Sequence, residues 1–140
     1  MIITTTSVAE TREIGARIAQ QAHRGDVYAL EGDLGCGKTE IVRGFMGYFD
    51  NSIIVHSPSF SIVNIYSAGC FQVYHFDFYR LTDASELFEI GLEEYLGNDG
   101  VCIIEWGTMF PEVLPPETIT IRLYDRGPTT REIHWESGSL

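Results

Sequence analysis

The sequence predicts an α/β fold, and three observations support that prediction. A glycine-rich stretch at residues 32–39 lies between a strand-like segment and a helix-like segment. Residues 101–104 are apolar without interruption, as expected of a strand buried on both faces of a sheet. Elsewhere, strand-like segments come in pairs separated by short turns, which predicts antiparallel hairpins, one of them at the C-terminus.

The first 31 residues predict a strand, a helix and a second strand. Residues 1–6 are rich in β-branched side chains, and Ser7 with Glu10 forms a capping box for the helix. The helix would bury one apolar face, formed by Val8, Ile14, Ile18 and Ala22. Gly25 would end it, and residues 26–31 are again strand-like.

Residues 32–39 read G-x-x-x-x-G-K-T, the pattern of a phosphate-binding loop. Its glycines permit positive φ angles, so backbone N–H groups can turn inward around a phosphate. Lys38 would place its charge near the β- and γ-phosphates, and the Thr39 hydroxyl can ligate Mg²⁺. A helix over residues 40–49 would point its N-terminus at the same anion. We therefore predict a nucleoside triphosphate site, against the alternative of a chance glycine cluster.

A hydroxyl-rich loop and a hairpin are predicted next. Residues 53–55 are expected to form a short strand, which leads into the hydroxyl-rich loop at residues 57–60. Residues 61–66 and 70–79 predict an antiparallel hairpin. In its second strand His75 and Asp77 lie on the same face, because side chains alternate along a strand.

The segment after this hairpin predicts two short helical turns. Residues 83–86 form a capping box, Gly91 would stop the first turn, and residues 92–96 would add the second.

The buried run at residues 101–104 ends in Glu105 and Trp106. In nucleotide-binding sheets the ligand sits beyond the carboxyl ends of the parallel strands, so Glu105 is expected beside the loop, where it can hold Mg²⁺ directly or through water. A proline-marked link then leads to the terminal hairpin, predicted over residues 118–124 and 131–136, and residues 137–140 read as a frayed tail.

Length and composition restrict the function. The 140 residues suit one domain and leave no room for a second nucleotide-binding lobe. Nine Lys and Arg against twenty Asp and Glu give a net charge of −11, which disfavours direct binding of RNA, so any RNA is expected to be held by another protein. No apolar run approaches the roughly 18 residues that span a bilayer. Three cysteines without metal-ligand spacing, and no signal peptide, indicate a soluble protein of the reducing cytoplasm.

Several of these residues also have plainer interpretations. The loop serines could merely satisfy a turn, His75 and Asp77 could be a surface pair, and Arg80 could pair with a nearby glutamate. Cys36 could be sensitive to oxidants if the helix N-terminus lowered its pKa, although passive replacement of a small residue is the simpler account.

Taken together, the motifs GDLGCGKT, SPSF, HFDFYRL and IEW, with S-x-x-E-T at residues 7–11 and the late Arg131, resemble the bacterial TsaE family, formerly YjeE. These are P-loop ATPases needed to make threonylcarbamoyladenosine in tRNA. The resemblance covers nearly the whole chain, and it implies a P-loop NTPase-like mixed β-sheet flanked by helices, with ATP and Mg²⁺ as cofactors. It also implies a complex with TsaB and TsaD, in which TsaD performs the transfer to tRNA.

The resemblance assigns roles to individual residues. Phosphate binding falls to Leu34, Gly35, Cys36, Gly37, Lys38 and Thr39. Thr39 and Glu105 would hold Mg²⁺, and Asp77 would be the acid near the γ-phosphate. Thr11 would approach the adenine side, and Arg131 would complete the nucleotide site. This sequence departs from the family pattern at Cys36, Ser59, Gly107 and Thr108.

Two other functions stay open at this point. A stand-alone nucleotide kinase would need an acceptor-binding arginine cluster and a longer chain than this one. A nucleotide sensor would bind nucleotide and partners without hydrolysis. Comparing product formation with nucleotide binding separates the three functions.

Overall fold

The computed structural model describes residues 1–58, 62–96 and 99–135 and confirms the predicted α/β class. In these residues seven strands form one mixed sheet flanked by helices. The elements are β1 (Ile2–Thr5), α1 (Val8–Gln21), β2 (Val27–Glu31), α2 (Lys38–Phe49), β3 (Val63–Ser67), β4 (Gln72–Asp77), α3 (Ser85–Glu89), α4 (Leu92–Leu96), β5 (Val101–Glu105), β6 (Ile119–Asp125) and β7 (Arg131–Trp135).

The sheet has the strand order β1-β7-β6-β2-β5-β4-β3. Its four central strands, β6, β2, β5 and β4, run parallel to one another. The remaining pairs are antiparallel: β3 with β4 at one edge, and β6 with β7 and β7 with β1 toward the other. The carboxyl ends of β2, β4 and β5 therefore meet at one end of the sheet.

Successive side chains of the central strands enter two separate cores. Leu30 of β2 and Ile103 of β5 pack with α1 and α2, whereas Val27 and Ile104 pack with α3 and α4. This alternation is the period of two expected of a strand, and it produces a layer of helices on each face. None of the helices in the described ranges is both long and apolar enough to cross a membrane.

Helices α1 and α2 approach each other closely at two glycines. A Cβ atom on Gly15 would lie 2.1 Å from the carbonyl oxygen of Ile41, and one on Gly44 would lie 1.8 Å from that of Arg12. Each contact is with backbone, which cannot move aside as a side chain can. The two glycines thus set how closely the helices pack.

Substitution of Gly44 tests this packing. Gly44→Ala is expected to lower the free energy of unfolding by about 2–3 kcal/mol, because the added methyl group forces the helices apart. Gly47→Ala is the matched control, since its Cβ would meet only the side-chain oxygen of Asn51, at 3.2 Å. That control should gain up to about 1 kcal/mol from helix propensity. Equal denaturation midpoints for the two variants would contradict the close crossing.

The strand predicted at residues 53–55 was wrong. Residues 53–58 have no regular secondary structure, and Ile54 is 73% exposed. The segment is held by side chains instead: Arg43 Nε donates to the Val55 carbonyl at 3.3 Å. Strand-forming side chains do not make a strand when no neighbouring backbone pairs with them.

Several predicted boundaries were also wrong. Helix α1 ends at Gln21 with Ala22 extended, before Gly25, and Val8 is 56% exposed instead of buried. Ser7 caps α1 as predicted, but Glu10 accepts from the Thr6 N–H, one residue before the expected partner.

Three more elements start or end away from their predicted limits. Helix α2 begins at Lys38, two residues before the predicted start at residue 40, because the glycines of the loop already make the turn into the helix. Strand β3 starts at Val63, since Ile62 has a φ of 69°. Helix α3 has no side-chain cap at its N-cap, Ala84; instead Asp83 accepts from the Ser85 N–H. Residues 59–60 of the hydroxyl-rich loop, residue 61 of the predicted hairpin, Glu136 of the last strand and the predicted tail at residues 137–140 lie outside the described residues.

Candidate functional site

The phosphate-binding loop joins the end of β2 to the first turn of α2. Gly32, Gly35 and Gly37 have φ angles of 149°, 77° and 108°, values that glycine adopts without strain. At Gly32 a Cβ atom would also lie 2.6 Å from the Leu123 carbonyl oxygen. Within the described residues no side chain caps α2 at Gly37, so the N–H groups of its first turn can bind an anion.

Lys38 is buried at the mouth of this loop, with 5% of its surface exposed. Its Nζ donates to the carbonyl oxygens of Gly32 at 2.5 Å and Asp33 at 3.0 Å. The ammonium also lies 4.3 Å from the centre of the Trp106 ring, close enough for a cation–π contact. The positive charge is thus held beside the loop by backbone dipoles and one aromatic face.

Glu105 ends β5 in a buried position, and among the described residues two polar side chains contact its carboxylate. The Thr39 hydroxyl lies 3.2 and 3.3 Å from the two carboxylate oxygens, and His75 Nε2 lies 2.6 Å from Oε2. The expectation that an acid directly after four buried residues needs a partner is met by groups from α2 and β4.

Asp77 lies beside Glu105 because β4 and β5 are parallel and in register, with Asp77 opposite Glu105. Its Oδ2 accepts from the Ser57 hydroxyl at 3.3 Å, and its Oδ1 accepts from the Tyr79 N–H at 2.9 Å. Asp77 therefore connects the end of the sheet to the start of the hydroxyl-rich loop.

These groups line one cleft of about 460 Å³. The lining residues are Leu34, Gly35, Gly37, Lys38, Thr39, Glu40, Ser57, Asp77, Tyr79, Arg80, Glu105 and Trp106. Seven residues of the predicted site are among them, although they come from three separate parts of the sequence.

Thr11, Cys36 and Arg131 lie behind the loop and do not line the cleft. The Thr11 hydroxyl is buried against that of Thr5 at 2.8 Å. Arg131 Nε donates to the Cys36 carbonyl at 2.9 Å, so β7 supports the loop from below. Direct contact of these three residues with nucleotide stays a prediction.

Cys36 is 1% exposed, and burial raises the pKa of its thiol despite the nearby Lys38 charge. The thiol is therefore protonated at neutral pH and shielded from oxidants, because the thiolate is the reactive form. This environment favours passive replacement of a small residue over a redox role.

The sequence did not reveal a second buried acid next to the loop. Glu31 ends β2, accepts from the backbone N–H of Thr108 at 3.3 Å and also from its hydroxyl. Burial raises the pKa of Glu31. Because Thr108 is 77 residues away in sequence, only the pairing of β2 with β5 brings the two together.

The donors present suit a Mg²⁺ ion that is shared with phosphate. In the part of the chain that the structure describes, no group of three or more His, Cys, Asp or Glu side chains could hold a metal. The Thr39 and Glu105 oxygens, 3.2 Å apart, have about the spacing of adjacent ligands around an ion bound at roughly 2.1 Å. Mg²⁺ commonly takes one or two such protein ligands and completes its shell with phosphate and water.

Comparison with known proteins gives consistent matches. The family model described as "Threonylcarbamoyl adenosine biosynthesis protein TsaE" matches residues 5–133. A Bacillus subtilis protein named tRNA threonylcarbamoyladenosine biosynthesis protein TsaE is 42% identical over 129 residues, which cover 92% of this chain and 80% of that protein. The protein of the same name from Treponema pallidum is 35% identical over 127 residues, covering 91% and 93%. The crystal structure of Bacillus subtilis YdiB matches with a TM-score of 0.82 at 36% identity, covering 96% of this chain and 83% of that one.

Proposed function

The chain belongs to the TsaE family, and from that premise we propose that it binds and hydrolyses ATP in the biosynthesis of N6-threonylcarbamoyladenosine in tRNA. Family membership confirms the resemblance predicted from the motifs. The observation that carries the proposal is the single cleft shared by Lys38, Thr39, Asp77 and Glu105. In this proposal residues 1–140 work as one P-loop ATPase domain in the cytoplasm, without contact to a membrane.

Phosphate binding follows from the loop. Backbone N–H groups of residues 34–39 surround the anion, and the α2 N-terminus adds a favourable dipole. Lys38 now donates to two neutral carbonyl oxygens, and a phosphate oxygen would be a charged and therefore stronger acceptor. Thr11, Cys36 and Arg131, which lie behind the loop, are the remaining residues that we propose for nucleotide binding.

Glu105 and the Thr39 hydroxyl are the proposed Mg²⁺ ligands, since they present adjacent oxygens at the mouth of the loop. When bound, Mg²⁺ supplies positive charge against the phosphates. Asp77 is assigned the positioning of the attacking water near the γ-phosphate. Residues 57–60 are proposed as a switch-like loop, since the Ser57 hydroxyl bonds Asp77 and a movement of Ser57 would change that contact.

TsaB and TsaD are the proposed partners, with tRNA reached only through TsaD. A net charge of −11 opposes direct binding of tRNA. Phosphoryl transfer also needs charge compensation at the γ-phosphate, which a partner can supply with an arginine or by ordering a loop. We therefore expect the isolated chain to hydrolyse ATP slowly.

Phosphate release measured under four conditions tests this function: the chain alone, with tRNA, with the TsaB–TsaD complex, and with both. The complex should raise the rate by at least about tenfold, which is modest beside the effect of a full arginine finger. Adding tRNA without partner protein should leave the rate of phosphate release unchanged. Full activity in isolation, or stimulation by tRNA alone, would contradict the proposed partnership.

The same measurements separate the other two functions. Phosphate transfer to an added nucleoside monophosphate would identify a stand-alone kinase. Nucleotide binding without phosphate release under any of the four conditions would identify a nucleotide sensor.

Tryptophan fluorescence should report binding of nucleotide. Trp106 lines the cleft and contacts Lys38, whereas Trp135 is buried in β7, so a change at the phosphates should affect mainly Trp106. Adding ATP with Mg²⁺ should alter the emission of the wild type, and Trp106→Phe should remove that response. A response that survives Trp106→Phe but disappears in Trp135→Phe would place the nucleotide nearer the C-terminal hairpin.

A further inference from the structure

We propose that His75 positions Glu105 as a ligand for Mg²⁺. The inference rests on the proposed function, because it concerns the metal site in the same cleft. His75 is a positioning residue in this account: it is fully buried and does not line the cleft.

The contact between the two side chains is short and dry. His75 Nε2 lies 2.6 Å from Glu105 Oε2, and the side chains are 0% and 5% exposed. Because a carboxylate can only accept, Nε2 carries the proton of the imidazole. Because both side chains are buried, this hydrogen bond restrains the carboxylate more strongly than a surface contact would.

The other ring nitrogen shows what the imidazole contributes. His75 Nδ1 is buried, and within the described residues it has no hydrogen-bond partner. A phenylalanine would fill the same space without burying an unpaired polar atom, so packing alone does not explain a histidine here. What the imidazole adds is the one N–H that reaches Glu105.

The register of β4 against β5 explains why the His75 ring reaches the Glu105 carboxylate. Strands β4 and β5 are parallel, with His75 opposite Ile103 and Asp77 opposite Glu105. His75 and Asp77 lie on the same face of β4, and the Glu105 carboxylate is contacted by the His75 ring from β4 and by the Thr39 hydroxyl from α2. The Thr39 hydroxyl lies 3.3 Å from Oε1 and 3.2 Å from Oε2, so the ring hydrogen bond to Oε2 fixes the carboxylate with both oxygens beside Thr39 and the proposed metal.

The effect expected of such a residue is on metal affinity. Hydrogen bonds to a ligating group fix its orientation, and their loss typically weakens metal binding by about 10- to 100-fold. Nucleotide binding without metal depends on the loop and Lys38, which His75 does not contact. His75 should therefore affect the two affinities differently.

Three variants test the proposal: His75→Phe, His75→Gln and His75→Asn. Phenylalanine keeps the volume and loses the donor. The glutamine amide nitrogen can reach the position of Nε2, whereas the asparagine amide is too short, and the asparagine variant keeps the test valid if the phenylalanine variant does not fold. For each, calorimetry gives the Mg²⁺ affinity with a non-hydrolysable ATP analogue at saturation, and the analogue affinity in EDTA.

His75→Phe and His75→Asn should weaken Mg²⁺ binding by about 10- to 100-fold, and His75→Gln should recover most of that loss. All three should bind the analogue in EDTA as the wild type does. Equal Mg²⁺ affinities for the glutamine and asparagine variants, or an equal loss of both affinities, would overturn the positioning role. If the wild type itself shows no Mg²⁺-dependent binding, the proposed function fails. A failure of the proposed function can thus be told apart from a failure of the positioning role alone.

Discussion

Lys38→Ala is expected to abolish phosphate release and to weaken ATP binding by about 100-fold or more, since a charged hydrogen bond to the γ-phosphate is lost. Lys38 is the only lysine of the chain, so no neighbouring lysine can replace it. Its ammonium is also buried and already placed at the mouth of the loop, where the charge acts with little screening by water. Backbone N–H groups alone cannot supply that charge.

Arg17→Ala is the matched control for this variant. It removes the same unit of charge from an exposed position on α1, outside the residues that line the cleft. Its ATP affinity and phosphate release should match those of the wild type. Undiminished turnover in Lys38→Ala would end the interpretation of residues 32–39 as a phosphate-binding loop.

Glu105→Gln is expected to reduce Mg²⁺-dependent turnover by about 100-fold while nucleotide binding without metal is retained. Glutamine has the same size and can still accept from His75, so the fold should be preserved. What it lacks is the negative charge that Mg²⁺ prefers in a ligand. The measurement is phosphate release as a function of Mg²⁺ concentration at saturating ATP.

Glu31→Gln controls for the loss of a buried acid at this end of the sheet. Glu31 ends the neighbouring strand and bonds Thr108, and it does not line the cleft. Burial raises the pKa of Glu31, so a neutral amide suits its surroundings. Its Mg²⁺ dependence should match that of the wild type. If Glu105→Gln also matches the wild type, Glu105 has a structural role only.

Local patterns in the sequence predicted the elements around the loop well. The unit of β2, loop and α2 was predicted because its glycines, Lys38 and Thr39 are adjacent in sequence. The hairpins β3–β4 and β6–β7 were predicted from short turns between strand-like segments, and both are present. In each case the contacts that decide the structure lie within a few residues.

Non-local pairing explains what the sequence could not predict. Whether residues 53–55 form a strand depends on a neighbouring backbone, and among the described strands the edge strand β3 pairs only with β4. The same holds for the pairing of β1 with β7, which joins residues more than 120 positions apart. Side-chain composition carries little information about such partners.

The candidate site shows the same division. Glu105 was predicted as a metal ligand because it follows a buried run, and its position at the loop agrees with that reasoning. Its contact with His75 depends on the register of β4 against β5, which no single segment reveals. The support of the loop by Arg131 likewise depends on β7 folding back beside the loop.

The central claim is that this cleft binds ATP with Mg²⁺ between Thr39 and Glu105. The most direct test is a crystal structure with a non-hydrolysable ATP analogue and Mn²⁺ in place of Mg²⁺, because Mn²⁺ is located independently by its anomalous scattering. We predict triphosphate density within residues 32–39 and one anomalous peak in contact with the Thr39 hydroxyl and the Glu105 carboxylate. An analogue bound elsewhere, or a peak that contacts neither residue, would contradict this account.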